Sequence, residues 1–298
     1  MSSTIYLNLR TDRQYKASTG LSLTEFNSLY DLFQRYYEPK QQLLHLANKP
    51  VLLADKKEAL FFILHYLKAY PTLQNMGLYF GMSDSAVSDF ITLLKPCLKA
   101  ALQHQQGAVA RAFANQQEFD EVFSGVEDIF IDVTEISIER SANQQVQCDH
   151  YSGKKKHSLK ALLISTARKQ FCFVSPLYPG KMHDFAIFKA VFAGFDFSRI
   201  RIHVDLGFFG IQKEVSTGGL NIPHKKPRKQ ALTAAQKAEN TVLARLRVVV
   251  ENTIAKMKSY FILRIENRMK KKMYLDDAIE LCATLANFKT NNALLNSV

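Results

Sequence analysis

Through the first hundred residues the apolar positions recur every three or four. Phe26, Leu29, Tyr30 and Phe33 share one face of a helix leading towards Pro39. Ser22 and Glu25 form a capping-box pattern at its start. Leu60, Ile63, Leu64 and Leu67 mark a second helix, opened more weakly by Asp55-Lys-Lys-Glu58 and stopped by Pro71. A short segment from Thr72 to Phe80 follows, then a turn at Gly81-Met82. The next helix, Ser83 to Lys95, turns Val87, Phe90, Ile91 and Leu94 inward. Helix, glycine-containing turn, helix is the outline of a helix-turn-helix. Its second helix would expose Asp84, Ser85, Ser88, Asp89 and Thr92, with Ser85 and Ser88 as candidate DNA contacts. The two aspartates suit phosphate poorly, so a purely structural helical bundle is the competing reading.

Beyond residue 120 the pattern changes to β-rich runs. Ile129–Ile138 is the first, Leu159–Ser165 the second and Phe171–Tyr178 the third, joined by Gly-containing connections that suggest an antiparallel meander. Asp184–Phe192 reads as a helix, Ile200–Val204 as a fourth strand and Leu220–Ile222 as a short fifth. A long helical pattern then runs from about Thr233 to Phe261. Its expected inner seam is Leu243, Leu246, Val250, Ile254, Met257 and Phe261. Arg247, Glu251 and Lys258 fall on a neighbouring stripe, about 100° round the helix. The fold class expected is α/β, a mixed sheet with flanking helices preceded by an all-α region. The division expected is a helical DNA-binding region over 1–120, with the helix-turn-helix near 55–100, and a sheet domain over 121–298.

Composition narrows the choice of class. The chain has 298 residues, 47% hydrophobic and 22% charged, which excludes general disorder. Its apolar runs are too short for a membrane span, and its first twenty residues lack a signal-peptide core. Cys97, Cys148, Cys172 and Cys282 are widely spaced without a CxxC pair, as expected of reduced thiols in a soluble intracellular protein. The net charge of +12 is regional. Twelve Lys and Arg meet ten Asp and Glu up to and including residue 120, against 27 and 17 after it. Such an excess points to a polyanion or to a solvated basic surface. Lys225, Lys226, Arg228 and Lys229 surround Pro227 in a loop open to the same two readings.

Three carboxylates stand in chemically awkward places. Asp132 interrupts an apolar strand, where an unpaired charge would be costly. Asp205 closes another strand, at the end where open sheets commonly place ligand groups. Glu251 follows three valines in the long helix and could do no more than pair with Arg247. Each alone has an ordinary structural explanation. Together they would suit two Mg²⁺ ions (or Mn²⁺) about 4 Å apart, which stabilise the attacking and leaving oxygens at phosphorus. Lys154, Lys155, Lys156 and the 225–229 loop could then hold a DNA backbone.

The order of six segments carries a resemblance. They are Ile131-Asp-Val-Thr-Glu135, Tyr151-Ser-Gly-Lys-Lys-Lys-His157, Gly180-Lys-Met-His-Asp184, His203-Val-Asp-Leu-Gly-Phe-Phe-Gly210, Ile222-Pro-His-Lys-Lys-Pro227 and Arg247-Val-Val-Val-Glu251. In this order they resemble the DDE transposases of bacterial insertion sequences, most closely the insertion-sequence-five family, with Harbinger-type transposases as relatives. The resemblance implies an RNase H-like fold with Asp132, Asp205 and Glu251 as catalytic and metal-binding residues. It also implies strand contacts by Arg247 and Lys258. The family's signature tyrosine is replaced by Ala244, and the glycine after its first aspartate by Val133. His183 and Asp184 match a family motif, as site residues or as turn stabilisers.

The implied activity is metal-dependent cleavage at transposon ends followed by strand transfer. The partners would be double-stranded DNA, as terminal repeats and target, and a second copy in a homodimer, with no membrane. The implied compartment is a bacterial cytoplasm at the nucleoid, or a nucleus in a eukaryote. Two rivals stand beside this reading: a catalytically silent DNA-binding descendant, and an RNase H-like nuclease without strand transfer.

Overall fold

In the computed structural model, residues 4–39, 52–104, 109–153, 156–228, 230–269 and 271–295 are described. The chain divides into two units, one of Met1–Ala108, Lys258–Arg264 and Phe288–Val298, the other of Val109–Met257 and Ile265–Asn287. The first contains α1 (Thr4–Leu7), α2 (Asp12–Thr19), α3 (Leu23–Phe33), α4 (Lys56–Ala69), α5 (Leu73–Phe80) and α6 (Asp84–His104). The capping box of α3 forms as its sequence predicts. Glu25 donates its N–H to the Ser22 hydroxyl at 3.1 Å, and its carboxylate accepts from Ser22 N–H at 2.6 Å.

Two helices depart from their patterns. α4 is buried from Glu58 to Leu67 on every side, not on one face, because α2, α3 and α6 all pack on it. α6 continues past Pro96, where the sequence pattern ends it. Proline within a helix costs about 3 kcal/mol. Burial of Leu98, Ala101 and Leu102 in the following turns offsets that cost.

The second unit is built on six strands: β1 (Asp128–Ser137), β2 (Ser158–Thr166), β3 (Phe171–Val174), β4 (Tyr178–Pro179), β5 (Phe197–His203) and β6 (Thr217–Asn221). Their order is β3-β2-β1-β5-β6, with β4 also pairing β2. β1, β2 and β3 form the expected antiparallel meander, whereas β5 joins β1 in parallel and β6 joins β5 in parallel. Helices α7 (Gln116–Val122), α8 (Gln144–His150), α9 (Asp184–Phe192), α10 (Ala234–Met257) and α11 (Lys272–Leu295) complete the order. This is the RNase H-like arrangement: a mixed sheet, flanking helices and a helical N-terminal region.

Period-two alternation sorts the side chains of β1 between the faces of the sheet. Ile129 and Ile131 join Leu162, Ile164 and Phe173 in a core closed by Phe188 and Phe192 of α9. Asp132 has the opposite parity. α10 packs on β1 and β2 through Val250 and Met257, but Leu246 and Phe261 of the expected seam are exposed. The half-buried neighbour of Leu246 is Arg247, so the inner face is rotated towards the arginine. Phe261 lies beyond the helix end, in a short 3-10 turn.

α8 and α11 have no counterpart in the predicted elements. α8 buries none of its residues, and α11 is apolar on several sides instead of striped, so neither has a helical signature. Among the described residues, no helix is long and apolar enough to cross a membrane.

Asn287 of α11 links that helix to the sheet. It accepts the Phe171 N–H at 2.7 Å and donates to the Phe171 carbonyl at 2.8 Å, both buried. Replacing Asn287 by Ala strands both backbone groups. Urea unfolding of Asn287→Ala is expected to show a loss of about 2–4 kcal/mol.

Candidate active site

The parallel pairing of β1 with β5 sets Phe130 beside His203, and their rings stack with centroids 4.4 Å apart. Two residues further on, Asp132 and Asp205 follow on the same face. The Asp205 carboxylate accepts the Gly207 N–H at 2.8 Å and caps the 3-10 turn Leu206–Phe208. His203 is clamped beneath it, with Nε2 2.8 Å from Asp128 and Nδ1 3.2 Å from the Asn221 amide. The His203 hydrogen bond, helped by Arg201, holds the Asp128 carboxyl below the usual range.

Asp184, in the first turn of α9, is a third carboxylate at this place. Lys160 is almost fully buried in β2 and donates to Asp184 at 3.0 Å and to the Met182 carbonyl at 2.9 Å. A Cβ at position 207 would stand 2.9 Å from Asp205 Oδ1 and 3.3 Å from Asp184 Oδ2. The two carboxylate oxygens therefore lie within about 6 Å of each other, and a side chain at position 207 would crowd Asp205. His183 precedes α9 but makes no side-chain capping bond. The sequence signal for Lys160 was its presence inside an apolar strand, where a cation needs a buried partner.

Burial pushes the Asp132 carboxyl up to about 6. The Val133 N–H, at 2.8 Å, and the charge of Arg247 oppose the rise, while Asp205 and Asp184 add to it. Carboxylates crowded this way offer oxygen donors only, the set a hard divalent cation takes. Mg²⁺ commonly uses one or two carboxylates and completes its shell with water and phosphate. The residues present thus fit such an ion.

The other candidate residues are more dispersed. Glu251 lies on α10 with its side chain 57% exposed, 3.8 Å from Arg247. Among the described residues, no group of three or more His, Cys, Asp or Glu is arranged to hold a metal ion. Lys156, Lys226 and Arg228 are exposed, and Lys225 sits over the Phe209 ring. Lys258 follows the last residue of α10. Ser85 and Ser88 are exposed on α6, where the Ser85 hydroxyl meets that of Ser83 at 2.9 Å. Lys154, Lys155 and Lys229 lie outside the described residues.

The model of the family described as DDE superfamily endonuclease matches residues 131–287, a span that begins one residue before Asp132 and includes Asp205 and Glu251. The chain belongs to this family. It is also 27% identical over 266 residues to a probable transposase for insertion sequence element IS702 from Microchaete diplosiphon, covering 89% of this chain and 90% of that protein. No solved structure matches. The family match thus spans nearly all of the sheet and the aspartates that converge on it.

Because the folded protein raises the Asp132 pKa, ionising that group weakens the metal-free fold as pH climbs from about 4 through 6. Asp132→Asn removes this cost. In EDTA, denaturant unfolding of the variant is expected to show a gain of about 1–3 kcal/mol at pH 7 that vanishes below about pH 4.

Proposed function

We propose that this chain is a transposase of the insertion-sequence-five kind, binding its element's ends as a homodimer and cutting and transferring DNA strands. The observation that carries this reading is the convergence of Asp132 and Asp205, from two parallel strands, in a DDE superfamily chain. Similarity to a probable transposase over nine-tenths of the chain supports it. The proposed regions remain a DNA-binding part over 1–120 and a catalytic part over 121–298.

Asp132, Asp205 and Glu251 would hold two Mg²⁺ or Mn²⁺ ions, which when bound activate water or a 3′-hydroxyl for attack at phosphorus. The chain's own contribution is positioning and charge. Arg247 offsets the carboxylates and, with Lys258, takes the strand near the site. Lys154, Lys155, Lys156, Lys225, Lys226, Arg228 and Lys229 hold the backbone of double-stranded DNA at the element's ends and in the target. Ser85 and Ser88 face base edges from α6. The proposed setting is a bacterial nucleoid, or a nucleus in a eukaryotic host.

A second reading, a silent DNA-binding descendant, draws on the exposure of Glu251 and its contact with Arg247. Incubation with Mg²⁺ and DNA carrying the element's own ends separates the readings. Wild type is expected to give cleaved and joined products, while Asp205→Asn gives neither and binds the ends as well as wild type. Specific binding without any product from wild type would select the silent descendant, and cutting without joining a plain nuclease. Neutralising Lys225, Lys226 and Arg228 together is expected to weaken binding to all sequences. The slope of log affinity against log salt should fall in magnitude by about 2–3.

A further inference from the structure

The turn after Asp205 has a feature that carboxylate chemistry does not use. Phe208 is fully buried in the core beneath the sheet, and so is Ile211. Between these anchors Phe209 is 55% exposed, beside Leu206 at 41%. Gly210, at φ +104°, lets the chain turn back into the core directly after the exposed ring. The Phe209 N–H donates to the Leu206 carbonyl at 3.2 Å, so the ring stands on a short, pinned turn. Lys225 Nζ lies 5.3 Å from its centroid, and Lys226 and Arg228 follow in the same loop.

A water-facing phenyl ring with a cation over it matches the two parts of a nucleotide. The ring offers a face for a base, and the lysine a charge for the adjoining phosphate. Bases inside a duplex already stack on both faces, so only an unpaired or extruded base can take such a place. We propose that Phe209, with Lys225 beside it, is a stacking seat for one unpaired nucleobase, four residues along the chain from Asp205. The seat rests on the reading that this chain binds DNA. It would hold a strand open beside the carboxylates and favour distorted DNA over intact duplex.

The test uses the full chain without Mg²⁺, so that nothing is cut. The probes are a dye-labelled duplex of about 20 base pairs with one bulged 2-aminopurine, and the same duplex fully paired. Anisotropy reports affinity and 2-aminopurine emission reports stacking. Wild type is expected to prefer the bulged duplex about tenfold or more and to quench its 2-aminopurine. Phe209→Ala should lose the preference and the quenching but keep its affinity for paired DNA, while Phe209→Tyr keeps both. The seat is overturned if wild type binds both duplexes equally, or if Phe209→Ala retains the preference. Failure of wild type to bind either duplex would instead remove the DNA-binding reading beneath it.

Discussion

The register of β1 against β5 is the constraint on which the site depends. Phe130 beside His203 brings Asp132 and Asp205 onto one face, although 72 residues separate them in the chain. A slip of one residue would turn Asp132 into the phenylalanine-rich core, where a carboxylate has no partner. Ile129 and Ile131 oppose the slip, because they would have to leave that core at the same time. Hydrophobic burial on one face thus specifies where charge appears on the other. The stacked Phe130–His203 pair and the His203–Asp128 hydrogen bond brace the register at the strand ends.

Once the aspartates converge, their charges must be balanced. Lys160 is buried against Asp184, and Arg247 acts on Asp132 from α10, yet Asp132 remains well above the usual carboxylate range. Burial, with the charges of Asp205 and Asp184 adding to it, makes an ionised Asp132 costly in the metal-free protein, and a cation bound beside it would relieve that cost. Gly207 belongs to the same arrangement, since a Cβ there would stand 2.9 Å from Asp205 Oδ1 and make that carboxylate shift.

The segments that were legible in the sequence each carry a local signal: a capping pair, a β-rich run bounded by turn residues, or apolar positions at helical spacing. The meander of β1 to β3, the start and end of α9 and the capping box of α3 were all of this kind. α11 buries residues all round and α8 buries none, so neither left a periodic pattern, whereas α4 was legible from its ends although its burial favours no single face. Leu246 was misplaced because apolar spacing alone assigned it inward, while Arg247 occupies the more buried position facing Asp132. Arginine can lie along an apolar surface when its charged end reaches a carboxylate.

By itself, the sequence determined the mixed α/β class, most of the strands, the helices with clear caps or spacing, and the order of motifs that resembles DDE transposases. Those properties are local, or depend on order along the chain. Only the tertiary structure decided which carboxylates meet, that Asp184, paired with Lys160, lies near Asp132 and Asp205, and that Glu251 faces solvent beside Arg247. These outcomes depend on strand register and helix rotation. Both are set by how separate segments share one core, and no single segment encodes that sharing.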